Sequence, residues 1–177
     1  MPPAISADEL RSYIRDVPDF PKPGILFKDI TPLLSDPKAF QASIDGIAER
    51  YANERIDAIA AAEARGFLFA APLALALKAG LVPIRKPGKL PHRKVSFDYQ
   101  LEYGSDRLEM HSDALQPNHR ILLVDDVLAT GGTMKTCCRL VQSTGAEVAG
   151  CAFLIELMFL KGRDVLSEFP VFSLISY

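Results

Sequence analysis

The sequence predicts a single α/β domain with a mainly parallel central sheet flanked by helices. Short, fully apolar segments, of which residues 121–124 are the clearest, have the composition of strands buried on both faces of a parallel sheet. They alternate with stretches that begin with helix-capping residues, and this alternation is typical of right-handed β-α-β connections. A chain of 177 residues is long enough to bury the core of one such domain.

Capping residues and prolines predict the elements of the N-terminal half. Ser6 and Glu9 have the spacing of a capping box, which predicts a helix from residue 6 to about residue 16. Three prolines and a glycine make a regular element improbable over residues 18–24. Asp36 before Pro37 predicts the start of a second helix. The elements expected beyond this stretch are a helix ending near residue 53, a strand over 56–61, a helix over 66–78 and a strand over 81–85.

Apolar periodicity predicts the elements of the C-terminal half. Apolar residues alternate over residues 95–110 around a glycine, which indicates a β-hairpin. The other expected elements are strands over 121–124, 148–157 and 171–175 and helices over 133–143 and 161–167. Ligands of parallel sheets bind at the carboxyl ends of the strands, and Asp125 and Asp126 follow the strand over 121–124.

Composition narrows the class of protein and of partner. Hydrophobic residues make up 49% of the chain and the net charge is −2, so the sequence indicates a globular protein without a field that recruits nucleic acid or membranes. The chain has three cysteines, an odd number, and two of them are adjacent, so their spacing favours neither a disulfide framework nor a zinc site. We therefore expect a cytoplasmic protein that binds no nucleic acid and no membrane.

Residues 125–133 carry the clearest chemical signal of the chain. Two carboxylates are followed by a loop of small residues and then by a predicted helix. Gly131 and Gly132 allow successive backbone N–H groups to point inward, and the helix N-terminus adds its positive dipole, so the loop suits a phosphate. Acidic side chains beside a phosphate would repel it unless they hydrogen-bond hydroxyl groups of the same ligand. A phosphate loop next to two acids therefore indicates a sugar phosphate. The glycine-rich motifs of dinucleotide-binding proteins and of nucleoside triphosphatases are absent from the sequence.

This stretch, over residues 124–133, resembles the phosphoribosyl-pyrophosphate signature of the type I phosphoribosyltransferases. Further segments, over 18–32, 64–69, 84–91 and 101–104, are similar to signatures of the adenine phosphoribosyltransferases, in the same order. The resemblance implies the type I phosphoribosyltransferase fold in one domain over residues 1–177. Within it, residues 1–34 would form a small N-terminal hood, and residues 95–110 would form a flexible hairpin lid.

The implied reaction transfers the 5-phosphoribosyl group of 5-phosphoribosyl 1-pyrophosphate to adenine and gives AMP and pyrophosphate, as in purine salvage. Binding of the phosphoribose is implied for Asp125, Asp126, Ala129, Thr130, Gly131, Gly132 and Thr133. Binding of the pyrophosphate is implied for Glu63, Ala64, Arg65, Lys86 and Lys89. The cofactor implied is Mg²⁺, held mainly through substrate oxygens with no direct protein ligand. The resemblance also implies a homodimer.

The resemblance further implies an adenine site and catalytic residues. Leu26 and Lys28 would bind the base edge through their backbone, and Phe27 would stack on the ring. Arg65, Glu102 and Tyr103 are the implied catalytic residues, with Glu102 accepting the N9 proton of adenine or holding its charge. This chain has Ala64 and Lys28 where relatives often have serine and arginine.

Three other functions fit parts of the sequence. A related transferase could use hypoxanthine or xanthine, although residues 18–32 favour adenine. A non-catalytic regulator with a ribosyl-phosphate site would need a basic extension for nucleic acid, and about twenty residues precede the first signature. A pyrophosphokinase that makes the donor would need a longer chain.

Overall fold

The computed structural model describes residues 5–101 and 104–177, and it confirms the α/β architecture. The chain divides into two compact units, Met1–Gly46 and Ile47–Tyr177. The assignment of a single domain, of a hood over residues 1–34 and of a lid over residues 95–110 stays a prediction.

The first unit contains a short antiparallel sheet where a longer helix was expected. The capping box is present, since the backbone N–H of Ser6 donates to Glu9 at 2.8 Å, but the helix ends at Arg11 rather than near residue 16. The reason is tertiary, because residues 15–18 pair with a strand that lies about ten residues further along. The elements are α1 (Ala7–Arg11), β1 (Arg15–Pro18), β2 (Leu26–Asp29), α2 (Thr31–Ser35) and the first part of α3 (Pro37–Tyr51), a helix that continues into the second unit. The sequence did not predict β1 and α2.

The second unit contains a five-stranded parallel sheet within the described residues, in the order β4-β3-β7-β8-β9. Its elements are β3 (Ala58–Ala62), α4 (Gly66–Ala76), β4 (Gly80–Ile84), β5 (Lys94–Leu101), β6 (Gly104–His111), β7 (Arg120–Leu128), α5 (Gly132–Ser143), β8 (Glu147–Glu156), α6 (Gly162–Val165) and β9 (Val171–Ser176). β5 and β6 pair with each other as the expected antiparallel hairpin.

The sheet core consists of the fully apolar segments that the sequence indicated. Every residue of β3 is buried, and Ile59, Leu123 and Phe153 of three adjacent strands are at most 1% exposed. Burial of such side chains contributes about 1.5–3 kcal/mol each before entropy is counted. β7 and β8 are therefore central strands, and the residues at their carboxyl ends are held by a rigid scaffold.

β7 is longer than the sequence indicated. It extends to Leu128, so Asp125 and Asp126 lie inside the strand near its carboxyl end rather than after it. Pairing with β8 continues past the acids, since Asp125 is in register with Phe153 and Leu128 with Glu156. This ladder outweighs the low strand propensity of aspartate and fixes the position of both carboxylates.

No helix among the described residues has the length and apolar composition needed to cross a membrane.

Candidate active site

The turn from β7 to α5 forms a cup at the carboxyl edge of the sheet. Gly131 adopts φ +83°, a left-handed conformation that favours glycine, and it is the N-cap of α5. Since Gly131 has no side chain to cap the helix, the first-turn N–H groups of α5 are available to an anion. The cup encloses about 340 Å³ of space open to solvent. Its lining includes Asp125, Val127, Leu128, Ala129, Thr130, Gly131, Gly132, Thr133, Met134 and Phe153.

The two aspartates of β7 differ in their surroundings. Asp126 is 4% exposed, whereas Asp125 lines the cup, as expected for consecutive residues on opposite faces of a strand. The backbone N–H of Asp126 donates to Oδ1 of Asp125 at 2.9 Å. Burial raises the pKa of Asp125 well above its usual value, and the neighbouring charge of Asp126 raises it further.

The turn between β3 and α4 brings a guanidinium group to these acids. Nε of Arg65 lies 2.6 Å from Oδ2 of Asp126, and the Arg65 side chain is half exposed. Gly66 packs closely here, since a methyl group on it would lie 3.0 Å from Oδ1 of Asp125. The peptide bond between Glu63 and Ala64 is cis, which the residue types did not indicate. The turn over residues 63–66 therefore lies against the carboxyl end of β7.

Glu63 binds the segment that follows β4. Its carboxylate accepts hydrogen bonds from the backbone N–H of Lys86 at 2.6 Å, from Nζ of Lys89 at 2.6 Å and from Nε of Arg85 at 3.2 Å. Burial alone would raise the pKa of Glu63, but these hydrogen bonds lower it to about 2. Glu63 is thus a carboxylate that positions the basic segment over residues 85–89.

Glu109 also contacts the segment over residues 85–89, and nothing in the sequence indicated this role. It is 4% exposed on β6, and its Oε2 accepts from Nζ of Lys94 at 2.7 Å and from the backbone N–H of Gly88 at 3.2 Å. Its backbone also exchanges hydrogen bonds with Arg85. A single glutamate between two apolar strand residues gives no sequence signal, because its partners come from other elements.

The residues expected to bind adenine lie on β2 in the first unit. Leu26 and Lys28 are two positions apart, so their backbone groups point to the same side of the strand. The Nζ atom of Lys28 lies 2.6 Å from Oδ1 of Asp16, across the β1–β2 pair. Phe27 packs edge to face against Phe20, with ring centroids 5.1 Å apart.

The remaining expected residues are Glu102 and Tyr103, which lie outside the described residues. The strands on either side of them, β5 and β6, are paired up to Leu101 and Gly104. In the described part of the chain, no group of three or more His, Cys, Asp or Glu side chains has the arrangement of a metal site.

Comparison with known proteins agrees with this geometry. A model of the phosphoribosyl transferase domain matches residues 30–171. An adenine phosphoribosyltransferase from Maridesulfovibrio salexigens is 58% identical over 166 residues, which cover 94% of this chain and 98% of the relative. This chain belongs to the adenine phosphoribosyltransferase family.

Solved structures of adenine phosphoribosyltransferases have the same fold. The one from Thermoanaerobacter pseudethanolicus superposes with a TM-score of 0.94 at 52% identity, covering 97% of this chain and 100% of the other. The one from Saccharomyces cerevisiae, complexed with adenine and D-2,5-dideoxy-2,5-imino-altritol 1,6-bisphosphate, has a TM-score of 0.90 at 42% identity, covering 95% and 97%. The fold predicted from sequence, that of the type I phosphoribosyltransferases, is therefore confirmed.

The raised pKa of Asp125 predicts a pH-dependent stability. The folded protein binds the proton of the Asp125 carboxyl group more tightly than the unfolded chain does. The contribution of Asp125 to stability therefore falls as the pH rises from the usual aspartate pKa to the raised value. We expect Asp125→Asn to raise the free energy of unfolding of the ligand-free protein at neutral pH, and by less at acid pH. Urea denaturation between about pH 4 and 8 measures this difference.

The control for this experiment is Asp8→Asn, at a carboxylate that is 94% exposed and should change little. A stability difference between wild type and Asp125→Asn that does not change with pH would contradict the buried, proton-retaining state of Asp125.

The lowered pKa of Glu63 predicts the opposite dependence. Its contribution to stability is complete above the ordinary value of 4.5 and is lost as the pH falls toward about 2. Glu63→Gln should therefore unfold at lower urea concentration than wild type at neutral pH, and the gap should narrow below about pH 4.5. An equal midpoint at neutral pH would show that Glu63 does not stabilise the 85–89 segment.

Proposed function

We propose that this protein transfers the 5-phosphoribosyl group from 5-phosphoribosyl 1-pyrophosphate to N9 of adenine. The bond from C1 of the ribose to the pyrophosphate oxygen breaks, the C1–N9 bond forms, the N9 proton leaves, and the products are AMP and pyrophosphate. The observation that carries this proposal is the cup between β7 and α5 beside two acids, in a chain of the adenine phosphoribosyltransferase family.

Ala129, Thr130, Gly131, Gly132 and Thr133 bind the 5′-phosphate in this proposal. Two properties of the cup support it. Its lining includes Gly132 and Thr133 at the N-terminus of a twelve-residue helix, and the positive end of the helix dipole favours an anion without a cationic side chain. Thr130 and Thr133 also line the cup and supply hydroxyl donors.

Asp125 and Asp126 bind the ribose hydroxyl groups. Their place at the carboxyl end of a buried strand, next to the cup, supports this role. The raised pKa of Asp125 also reduces the repulsion between this acid and an incoming anion. Arg65 contacts Asp126 in the ligand-free protein, so donor binding requires Arg65 to exchange this carboxylate for the pyrophosphate. The exchange would release Asp126 for a hydroxyl and place a bidentate cation on the leaving group.

The pyrophosphate site consists of Glu63, Ala64, Arg65, Lys86 and Lys89. Glu63 acts by holding the basic segment, and its three hydrogen bonds to Arg85, Lys86 and Lys89 support that role. The cations stabilise the charge that develops on the departing pyrophosphate. Ala64 contributes backbone groups only, because its side chain has no hydroxyl.

Leu26, Phe27 and Lys28 bind adenine. The pairing of the Lys28 side chain with Asp16 supports a contact through the Lys28 backbone rather than through its ammonium group. A contact through the backbone does not depend on whether position 28 carries lysine or arginine. Phe27 contributes ring stacking, for which its aromatic contact with Phe20 provides a fixed orientation.

Catalysis depends mainly on orientation and electrostatics, because the transition state is a ribosyl cation with a departing polyanion. Glu102 accepts the N9 proton or balances its charge, and Tyr103 shapes the closed site. Residues 95–110 form a lid that excludes water, since the activated donor would otherwise hydrolyse. The antiparallel pairing of β5 with β6 supports this role, because it makes residues 95–110 part of one hairpin.

Mg²⁺ is the proposed cofactor. Magnesium keeps several waters and takes few protein ligands, so the ion fits this site through substrate oxygens and its own waters, with the Asp125 carboxyl group at the cup as a hydrogen-bond partner for those waters. When bound, it neutralises the charge of the donor, with pyrophosphate and ribose oxygens as its main ligands.

We further propose a homodimer in the cytoplasm. Leu68 and Leu75 of α4 and Leu81 of β4 are large exposed apolar side chains, and Leu75 is 83% exposed. An interface between two copies of the chain that covered these side chains would remove apolar surface from water.

The identity of the base is tested by pyrophosphate release from the donor with Mg²⁺ and each of adenine, hypoxanthine, guanine and xanthine. We expect adenine to exceed the 6-oxo bases by about 10⁴-fold in kcat/KM, because a site that hydrogen-bonds a 6-amino group leaves its polar groups unpaired with a 6-oxo group. Equal or greater release with hypoxanthine would contradict the proposal.

The role of Glu102 is tested by Glu102→Gln. We expect kcat to fall by about 100-fold while the dissociation constant of adenine stays within a factor of about two, because the proton transfer occurs only in the transition state. The control is Asp113→Asn, at a carboxylate that lies outside the lid, is 67% exposed and should leave kcat unchanged. An unchanged kcat in Glu102→Gln would remove this residue from the mechanism.

A further inference from the structure

A second segment of the chain lies against the cup. After β8, the backbone N–H of Leu157 donates to the carbonyl oxygen of Leu128 at 2.9 Å, so the chain stays beside the end of β7. It then forms a short 3₁₀ turn, Met158–Leu160, and reaches Gly162 through Lys161, which adopts φ +53°. This path brings the backbone of residue 162 to the back of the cup.

Gly162 and the cup pack backbone against backbone. A methyl group on Gly162 would lie 2.2 Å from the carbonyl oxygen of Ala129 and 2.9 Å from Cδ1 of Leu128. In the reverse direction, a methyl group on Gly131 would lie 2.7 Å from the carbonyl oxygen of Gly162. Real Cβ atoms do not approach other atoms this closely, so any side chain at position 162 displaces the loop.

Arg163 fixes the segment that carries Gly162. Its Nε donates to Oε1 of Glu156 at 3.0 Å, its Nη2 donates to Oε2 of the same carboxylate, and its Nη1 donates to the carbonyl oxygen of Val171 at 2.9 Å. Glu156 is 5% exposed at the end of β8, opposite Leu128 of β7. A bidentate guanidinium–carboxylate pair is among the most geometrically restrictive contacts in proteins.

We infer that Gly162, held in place by the Arg163–Glu156 pair, is a positioning residue that sets the shape of the phosphate loop over residues 129–133. The inference rests on the proposed function of that loop. Gly162 has no side chain with which to bind a ligand, and it acts by giving the loop the backbone conformation that suits a phosphate before the donor arrives. A preformed loop saves the ordering cost that a mobile loop would have on binding.

The test compares Gly162→Ala with Gly150→Ala, using ribose 5-phosphate as the probe. A methyl group on Gly150 would lie 3.0 Å from Oη of Tyr51, so this control disturbs the same sheet without touching the cup. We expect Gly162→Ala to weaken ribose 5-phosphate binding at least tenfold by calorimetry and to raise the KM of the donor more than it lowers kcat. Gly150→Ala should lower the melting temperature and leave that affinity within about twofold.

A second pair of variants keeps the test decisive if Gly162→Ala does not fold. Arg163→Ala should weaken ribose 5-phosphate binding, and Arg163→Lys, which retains a charge but not the bidentate geometry, should restore part of the affinity. Unchanged affinity in a folded Gly162→Ala or Arg163→Ala, or an equal loss in Gly150→Ala, would overturn the inference.

Failure of the proposed function has a different signature in the same measurements. A wild-type protein that binds ribose 5-phosphate but releases no pyrophosphate with any base would overturn the transfer reaction and leave the positioning role in place. A wild-type protein that neither binds ribose 5-phosphate nor releases pyrophosphate would overturn both.

Discussion

The carboxyl end of β7 has to hold two carboxylates next to the loop that we propose as a phosphate site. Hydrogen bonding along β8 fixes both acids inside the strand, and Gly131 starts α5 five residues after Asp126. Two features reduce the repulsion between these carboxylates and an anion in the loop. Burial raises the pKa of Asp125, and Arg65 contacts Asp126. Both the turn over residues 63–66 and the segment that carries Gly162 pack against this strand end.

The cations of the site are held by acids of the protein in the absence of substrate. Arg65 contacts Asp126, and Lys89 contacts Glu63, whose pKa of about 2 keeps it ionised at any physiological pH. Such pairs keep cationic side chains at the carboxyl edge of the sheet. In the proposed reaction, binding of the donor would exchange one anion for another, which would limit the cost of reorganising the site.

Sequence reasoning predicted the features that depend on local pattern and missed those that depend on distant partners. The apolar runs of the parallel sheet and the glycine turn before α5 were predictable, because burial and left-handed φ select residue types directly. The prediction that the first helix runs to residue 16 was wrong, since residues 15–18 form β1 through pairing with β2. Glu109, Gly162 and Arg163 gave no signal either, because each acts through a neighbour on another element.

The proposed phosphate site over residues 129–133 can be tested through the chemical shifts of its backbone amides. Titration of the ¹⁵N-labelled protein with ribose 5-phosphate should move the backbone resonances of Thr130, Gly131, Gly132 and Thr133 furthest, because their N–H groups change hydrogen-bond partners. The amides of Ala48–Ala52, which lie beside a separate groove, should not move. Saturable shifts that are largest elsewhere, with residues 130–133 unchanged, would contradict the account.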